Sequence, residues 1–249
     1  TISRLFRISP PSQAKAEPIM PIVEALDGVE RVAVLAIDAL GYKAYEKFKD
    51  SMPYMSSIAR NNGELLYLKS ILPSITPVNF ASMVTGVEVD VHKVKARNQD
   101  FGCETLFDIL RLNNKKSAGL GRKNYTGNEL LGRFADFTAG GSAINDNDVE
   151  EILLRIIRHK TPEFIIVQYA LVDDVSHLYG PYSEQAEEAI AKADEWLSRC
   201  IPKLLKHEYG IIILSDHGQH EYQKSNGAVG GTHGSDTDED CIVPLSWTK

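Results

Sequence analysis

The hydrophobic pattern of the chain consists of short apolar runs that alternate with longer segments of helical spacing. Residues 31–37 are almost all apolar, which is typical of a strand buried on both faces of a sheet. Residues 149–159 instead carry apolar side chains three and four positions apart, the spacing of one helix face. The predicted strands are residues 31–37, 65–71, 117–120, 164–170, 210–215 and 241–246. The predicted helices are residues 22–26, 42–61, 104–112, 149–159 and 183–206.

The alternation of strands and helices predicts an α/β layered fold, in which helices flank a mostly parallel central sheet. Residues 1–249 contain no obvious linker or repeat, so we expect a single domain. Residues 121–145 are rich in Gly, Asn and Thr and predict a long loop or a small insertion. Pro244 in the last predicted strand favours a position at a strand end or a sheet edge.

The composition argues against several classes of partner. A net charge of -7, from 27 basic and 34 acidic residues, disfavours a nucleic-acid surface and an anionic membrane partner. No apolar run approaches the roughly 18 residues that span a bilayer. Residues 1–7 lack the apolar core of a signal peptide, which favours a cytoplasmic location, and the pattern predicts no oligomeric state. The three cysteines lie far apart and form no metal-binding C-x-x-C pair.

Residues 72–86 predict a loop that turns sharply into a helix. Pro77 suits the first helical turn, where a missing N–H costs no hydrogen bond. The Thr76 hydroxyl would then lie at the helix N-terminus, among backbone N–H groups that favour an anion. Two interpretations are open from this stretch alone. Either Ser74 or Thr76 caps the helix, or Thr76 takes part in chemistry on an anionic substrate.

Three predicted strands lead into Asp and His side chains, and in an open α/β sheet sites lie at the carboxyl ends of strands. Asp173 and His177 are four residues apart, so one helical turn presents both on the same side. Asp216 and His217 are neighbours and serve one cluster if the chain turns after the strand, which Gly218 permits. The candidate metal ligands are Asp38, Asp173, His177, Asp216, His217 and His233.

Carboxylates and imidazoles together are typical zinc ligands and also suit manganese or iron. These six ligands are enough for two divalent ions, each with one open or bridging position. The charges of two such ions would be balanced by the three carboxylates and an alkoxide of Thr76. Paired metal ions lower the pKa of a bound hydroxyl and hold both the attacking and the leaving oxygen of a phosphoryl group. Thr76 is therefore a candidate nucleophile and an additional metal ligand.

The order of these motifs resembles the alkaline phosphatase superfamily, most closely its type I phosphodiesterase/nucleotide pyrophosphatase family. The resemblance extends from residue 32 to about residue 245. The motifs that carry it are Ala36–Gly41, Thr76–Asn79 followed by Thr85–Gly86, Asp173–Pro181, Ser215–Gly218 and Thr232–Gly234.

The resemblance implies an alkaline-phosphatase-like catalytic domain that hydrolyses small phosphoesters or nucleotides through a phospho-threonine at Thr76. It also implies two zinc ions, one held by Asp173, His177 and His233 and the other by Asp38, Asp216 and His217. The family uses an Asn beyond the nucleophile to hold a phosphoryl oxygen, and Asn98 is the candidate here. Fifteen residues separate His217 from His233, where many family members carry a long insertion, so the elements that select the substrate are reduced.

Four alternatives stay open at this stage. A phosphomonoesterase or a phosphonate hydrolase would use the same superfamily centre. A phosphoglycerate-mutase-like isomerase would move a phosphoryl group within one substrate, although those relatives typically carry a Ser nucleophile and a large inserted domain. A non-catalytic metal-binding protein would keep the ligands without turnover.

Overall fold

The computed structural model describes residues 1–61 and 65–249 and contains a seven-stranded sheet and a separate two-stranded hairpin. In the large sheet the strand order is β2-β9-β6-β1-β5-β3-β4, and β7 pairs with β8 in the hairpin. The strands are β1 (Arg31–Ile37), β2 (Leu66–Lys69), β3 (Ser117–Leu120), β4 (Phe137–Thr138), β5 (Phe164–Tyr169), β6 (Tyr209–Leu214), β7 (His220–Gln223), β8 (Val229–Thr232) and β9 (Ile242–Thr248).

The helices connect these strands and cover both faces of the large sheet. A 3-10 turn (Lys49–Ser51) and a π-helical turn (Gly127–Leu131) accompany them. The helices are α1 (Ile2–Leu5), α2 (Met20–Ala25), α3 (Tyr42–Phe48), α4 (Pro53–Asn61), α5 (Thr76–Thr85), α6 (Val89–His92), α7 (Leu106–Leu112), α8 (Gly132–Phe134), α9 (Asp146–His159), α10 (Leu171–Tyr179), α11 (Glu184–Lys206) and α12 (Asp238–Cys241). None of these described helices combines the length and the apolar character needed to cross a bilayer.

Strand β1 lies at the centre of the sheet and divides the core into two layers. It pairs in parallel with β5 on one side and with β6 on the other. Its alternate side chains enter two different apolar clusters, because successive residues of a strand point to opposite faces. Leu35 packs in the cluster that includes residues of α9 and α11, whereas Val34 packs in the cluster that includes residues of α5 and α7. This arrangement confirms the predicted α/β fold with a mostly parallel sheet flanked by helices.

Most predicted strands and helices are present, and two predicted segments differ from the structure. The segment 42–61 is divided into two helices, because Pro53 begins α4 after the 3-10 turn. Residues 121–145 contain β4, which pairs with β3 and extends the large sheet. This segment therefore completes the sheet edge and is not a loop outside it. The assignment of residues 1–249 to one domain stays a prediction.

Pro244 lies within an inner strand, contrary to the predicted edge position. Strand β9 is antiparallel to both of its neighbours, β2 and β6. Pro244 is opposite Tyr67 of β2, but the pairs between β9 and β6 stop at Leu245, opposite Leu214. The sheet tolerates the missing N–H because β6 has ended before it reaches Pro244.

Two glycines let the turns after β1 and β6 approach each other closely. A Cβ added to Gly218 would lie 2.0 Å from the Glu239 carbonyl oxygen and 2.7 Å from Gly41 Cα. A Cβ added to Gly41 would lie 2.9 Å from Gly218 Cα. The Gly218 N–H also donates to the Asp240 carbonyl at 2.8 Å. Any side chain at Gly218 must therefore push apart backbone that packs beside the strand ends.

Replacing Gly218 by Ala is expected to lower the free energy of unfolding by about 1–3 kcal/mol, the usual range for overpacking. Urea denaturation in the presence of a chelator measures this change without a metal contribution. Gly141→Ala is the matched control, because no atom lies within 4 Å of its added Cβ. Its change should stay within about 0.5 kcal/mol. Equal stabilities of the two variants would contradict the close-approach argument.

Candidate metal centre

Five of the six candidate ligands come from the carboxyl ends of three adjacent strands, and His233 follows β8 of the hairpin. Asp38 follows β1 directly, and Asp216 and His217 lie just beyond β6. Strand β5 leads into α10, which carries Asp173 and His177 one turn apart. Because β1 lies between β5 and β6, these three strand ends meet at one edge of the sheet.

The chain turns immediately after β1 and β6, and this lets neighbouring residues reach the same cluster. Ala39 has a positive φ of 63°, so the backbone bends directly after Asp38. The Asp216 carboxylate accepts a hydrogen bond from the Ala39 N–H at 3.2 Å, which connects the two turns. Ser70 donates its hydroxyl to the Asp216 carbonyl at 2.6 Å. Asp216 and His217 therefore both face the cluster, as the sequence predicted for a strand that stops there.

One candidate metal-binding group consists of Asp38, Asp216 and His217. His217 Nε2 lies 3.4 Å from Asp38 Oδ1 and 3.4 Å from Asp216 Oδ2. All three side chains are almost completely buried. This group has the composition that the resemblance implied for one ion.

A second candidate group contains Asp173, His217 and His233. His233 Nε2 lies 3.7 Å from Asp173 Oδ1, and the ring of His233 stacks on that of His217 with centroids 3.9 Å apart. His177 Nε2 lies 3.3 Å from the same Asp173 oxygen and is 41% exposed. The structure therefore brings all six predicted ligands together, with His217 between the two groups and His177 at the rim.

The three imidazoles are oriented in the same way. Each Nδ1 lies within hydrogen-bonding distance of a backbone carbonyl, which accepts when that nitrogen carries the proton. The Nε2 of each ring faces the carboxylates, and once it has lost its proton it has the orientation of a metal-ligating histidine. The Nδ1 contacts are His177 with Gly231 at 2.9 Å, His217 with Gly218 at 3.0 Å and His233 with Ser74 at 2.9 Å.

The electrostatics of the first group are unfavourable without a cation. Burial raises the pKa of Asp38 well above its ordinary value, and the nearby charges of Asp216 and Asp173 raise it further. Burial also raises the pKa of Asp216. Asp216 Oδ2 is, within residues 1–61 and 65–249, a buried oxygen without a hydrogen-bond partner. A divalent cation would compensate these buried charges and satisfy the orphan oxygen, so the residues fit a metal here.

In the second group the pKa shifts of Asp173 and His177 favour the charged form of each side chain. Burial raises the pKa of Asp173, but the hydrogen bond with His177 and the neighbouring imidazoles bring it below its ordinary value. The same contact with Asp173 raises the pKa of His177. Burial lowers the pKa of His233 to about 4, so this ring is neutral near pH 7. A neutral imidazole beside an ionised carboxylate is a suitable donor set for a divalent ion.

Thr76 is the first residue of α5 and lies beside the first group. Its Oγ1 is 3.0 Å from His217 Nε2 and 3.5 Å from Asp38 Oδ1. Ile75 is the N-cap, no side chain caps the helix, and the Ser74 hydroxyl donates instead to the Ser235 carbonyl at 2.9 Å. The capping interpretation of Ser74 and Thr76 is therefore wrong for this helix, and the Thr76 hydroxyl faces the candidate ligands.

Asn98 lies on an exposed turn between α6 and α7. Its backbone carbonyl accepts from Arg133 at 3.4 Å, and its side chain makes no hydrogen bond in the part of the chain that the structure describes. Asn79 supports the loop before α5, since its side chain accepts from the Ile71 N–H at 2.7 Å and donates to the Ile71 and Ile75 carbonyls.

Sequence reasoning missed two glutamines that contact candidate ligands. Gln168 donates to Asp38, and Gln219 donates to Asp173 Oδ1 at 2.6 Å. Gln168 is the single strongly polar residue in the apolar run of β5. A polar side chain in a buried strand indicates a buried hydrogen-bond partner, and this pattern is visible in the sequence. Gln219 follows Ser215–Gly218 directly, but nothing in the sequence indicates that it faces Asp173.

Comparison with known protein families gives the context of this centre. Residues 32–108 and 110–233 match the family described as type I phosphodiesterase/nucleotide pyrophosphatase. The chain belongs to this family. The matched residues include Asp38, Thr76 and the other candidate ligands through His233. Family membership confirms the resemblance inferred from the motif order.

Venom phosphodiesterases are similar to this chain in sequence, and an ectonucleotide pyrophosphatase is similar to it in fold. Venom phosphodiesterase 2 of Crotalus adamanteus is 23% identical over 230 residues, an alignment that covers 78% of this chain and 28% of that protein. A venom phosphodiesterase of Naja atra is 22% identical, with 77% and 27% covered. The chain therefore spans about a quarter of the length of these curated relatives.

Two solved structures are similar in fold to this family member. Murine ectonucleotide pyrophosphatase/phosphodiesterase 5, an inactive variant in complex with AMP, has a TM-score of 0.72 at 14% identity, with 88% of each chain covered. Phosphonoacetate hydrolase of Sinorhizobium meliloti 1021, in complex with phosphonoformate, has a TM-score of 0.63 at 17% identity, with 80% of this chain and 59% of that chain covered.

Replacing Asp38 by Asn is expected to stabilise the metal-free protein at pH 7. The pKa of Asp38 is raised in the folded state. Its protonated form therefore contributes to the free energy of unfolding fully below about pH 4, and this contribution is lost as the pH rises through the folded-state pKa. Each unit by which the pKa is raised lowers the free energy of unfolding at high pH by about 1.4 kcal/mol. Urea denaturation with a chelator at pH 7 and at about pH 4 measures the gain, which should disappear at the lower pH.

The exposed residue Asp50 provides the control for this measurement, and Asp50→Asn should change the stability by less than about 0.5 kcal/mol at either pH. With excess zinc the wild-type protein should become more stable than Asp38→Asn, because it gains more stability from zinc binding. A metal-free Asp38→Asn protein that is no more stable than wild type at pH 7 would contradict the role of buried charge.

Proposed function

We propose that this chain is a metal-dependent phosphoester hydrolase of the phosphodiesterase/nucleotide pyrophosphatase type, acting through a phospho-threonine at Thr76 beside a dinuclear zinc centre. The observation that carries the proposal is the contact of Thr76 Oγ1 with His217 Nε2 at 3.0 Å, at the junction of two candidate metal-binding groups. A purely structural threonine would have no reason to contact a buried carboxylate and a buried imidazole of a candidate metal-binding group.

The choice of two zinc ions is supported by the donor set. Each group offers carboxylate and imidazole ligands, which suit zinc best and also accept manganese or iron. Bound divalent ions would supply positive charge that favours the ionised hydroxyl and stabilises the transition state of phosphoryl transfer. Asp38, Asp216 and His217 would hold one ion, while Asp173, His177 and His233 would hold the other.

We propose a role for each of the residues around Thr76. Thr76 Oγ1 gives its proton to solvent, attacks phosphorus and forms the O–P bond as the bond from phosphorus to the leaving oxygen breaks, and the leaving oxygen takes up a proton from solvent. No side chain caps the first turn of α5, and we propose that its free backbone N–H groups receive phosphoryl oxygens. Water then hydrolyses the phospho-threonine and restores the Thr76 hydroxyl. Asn98, which lies on an exposed turn, is proposed to hold one phosphoryl oxygen.

The substrate is proposed to be a small phosphoester or a nucleotide. The family membership supports this class, as does the AMP bound in the murine relative of similar fold. The fold similarity to phosphonoacetate hydrolase makes a phosphonate the appropriate second class to assay. We also infer that residues 1–249 act as one catalytic domain.

Replacing Thr76 by Ala is expected to lower zinc-dependent turnover by about 1,000-fold or more, because the nucleophile is lost while the metal ligands remain. Initial rates on a chromogenic phosphodiester, a phosphomonoester and a phosphonate measure the loss and rank the substrate classes. Mass spectrometry of the quenched wild-type reaction should find phosphate on the peptide that contains Thr76.

Thr85→Ser provides the matched control at the other end of α5. Thr85 is buried and donates its hydroxyl to the Ala81 carbonyl at 2.8 Å, and the Ser variant keeps that donor. Its turnover should stay within about twofold of wild type. Full metal-dependent turnover by Thr76→Ala would overturn the phospho-threonine mechanism, and zero turnover by the wild-type protein across the panel would favour a non-catalytic metal-binding role.

A further inference from the structure

Gln219 lies in the wall of the centre and is 2% exposed. Its amide Nε2 donates to Asp173 Oδ1 at 2.6 Å and approaches the Asp173 carbonyl at 3.4 Å. Because both neighbouring atoms are acceptors, the orientation of the amide is fixed with nitrogen toward Asp173. The same Asp173 oxygen lies 3.3 Å from His177 Nε2 and 3.7 Å from His233 Nε2. Gln219 therefore contacts the oxygen on which the second group converges.

Gln168 has an equivalent position beside the first group. It is 1% exposed, and its amide donates to Asp38 Oδ2. The other oxygen of that carboxylate, Oδ1, faces His217 Nε2 at 3.4 Å and Thr76 Oγ1 at 3.5 Å. The contact with Gln168 thus holds Asp38 in the rotamer that directs Oδ1 toward the candidate ligands.

An amide is better suited than a cationic side chain to orient a carboxylate that binds a metal ion. A neutral N–H fixes the plane of a carboxylate and stabilises its ionised form without adding a positive charge. Lysine or arginine in the same place would repel a divalent ion. The two groups thus have one glutamine each, and no other described side chain donates to either carboxylate through an amide.

We propose that Gln219 and Gln168 are positioning residues that set the metal affinity of the two groups separately, Gln219 for the Asp173 group and Gln168 for the Asp38 group. This inference rests on the dinuclear centre of the proposed function. Hydrogen-bond partners of ligating residues typically change metal affinity by about 10- to 100-fold. Each glutamine acts on one ion because it contacts a carboxylate of one group.

Gln219 gives the sharper test of the two. Its Oε1 is a buried oxygen without a hydrogen-bond partner in the described parts of the chain, residues 1–61 and 65–249. Replacement by Met removes the donor and this unpaired oxygen together, so a purely packing role predicts an unchanged or higher stability of the metal-free protein. Gln168 Oε1 also accepts from the Gly127 N–H at 2.6 Å, so Gln168→Met additionally loses a structural contact.

The experiment is a calorimetric zinc titration of the metal-free protein, with bound zinc counted by atomic emission. Wild type should bind two ions with resolvable affinities, and His177→Ala and Asp38→Asn identify which affinity belongs to which group. Gln219→Met should weaken the affinity that His177→Ala weakens by about 10- to 100-fold and leave the other within about threefold. Gln168→Met should show the reverse pattern. Gln223→Met, on the exposed part of β7, should leave both affinities unchanged.

The outcomes separate this inference from the proposed function. A wild-type protein that binds fewer than two zinc ions would contradict the dinuclear centre itself. If wild type binds two ions and Gln219→Met keeps both affinities, the positioning role is wrong while the dinuclear centre stands. An equal loss of both affinities with a lower melting temperature of the metal-free protein would also overturn the role, because it would show general destabilisation.

Discussion

The crowding of three carboxylates at one edge of the sheet is the constraint on which the rest of the centre depends. Asp38 and Asp216 are buried, Asp173 lies beside them, and the charges of Asp216 and Asp173 oppose the ionisation of Asp38. A fold optimised for stability alone would place apolar or neutral side chains there. The turns after β1 and β6 and the histidines that face the carboxylates make sense as parts of a site prepared for divalent cations.

The surrounding structure holds these charges in place by short backbone and amide contacts. Ala39 donates to Asp216, and backbone carbonyls orient the rings of His177, His217 and His233. Such contacts reduce the rearrangement needed when a cation binds, since the ligands already point inward. The Thr76 hydroxyl belongs to the same arrangement, because α5 begins beside His217 and leaves its first turn without a side-chain cap.

The sequence was sufficient for the fold class, because that class is expressed in local patterns. It also named six side chains that the structure brings close together, and their binding of metal stays a prediction. Apolar runs of strand length and Asp or His residues at their ends are visible without coordinates. Gln168 and Gln219 could not be assigned in the same way, since their contacts join residues 130 and 46 positions apart. The place of Pro244 also depends on where β6 stops, which is a property of strand pairing and not of the residues around the proline.

The strand order has a kinetic consequence. Val32 of β1 pairs with Phe164 of β5, and Arg31 pairs with Tyr209 of β6. Strand β1 therefore pairs only after residues more than 100 positions later in the chain have been synthesised. Contacts of such long sequence separation form slowly, because a long loop must close before they are gained. A complete ligand set exists after His233 has emerged and three parallel strands have paired. Completion of the candidate ligand set is therefore a late event in the synthesis of this protein and follows the assembly of its sheet.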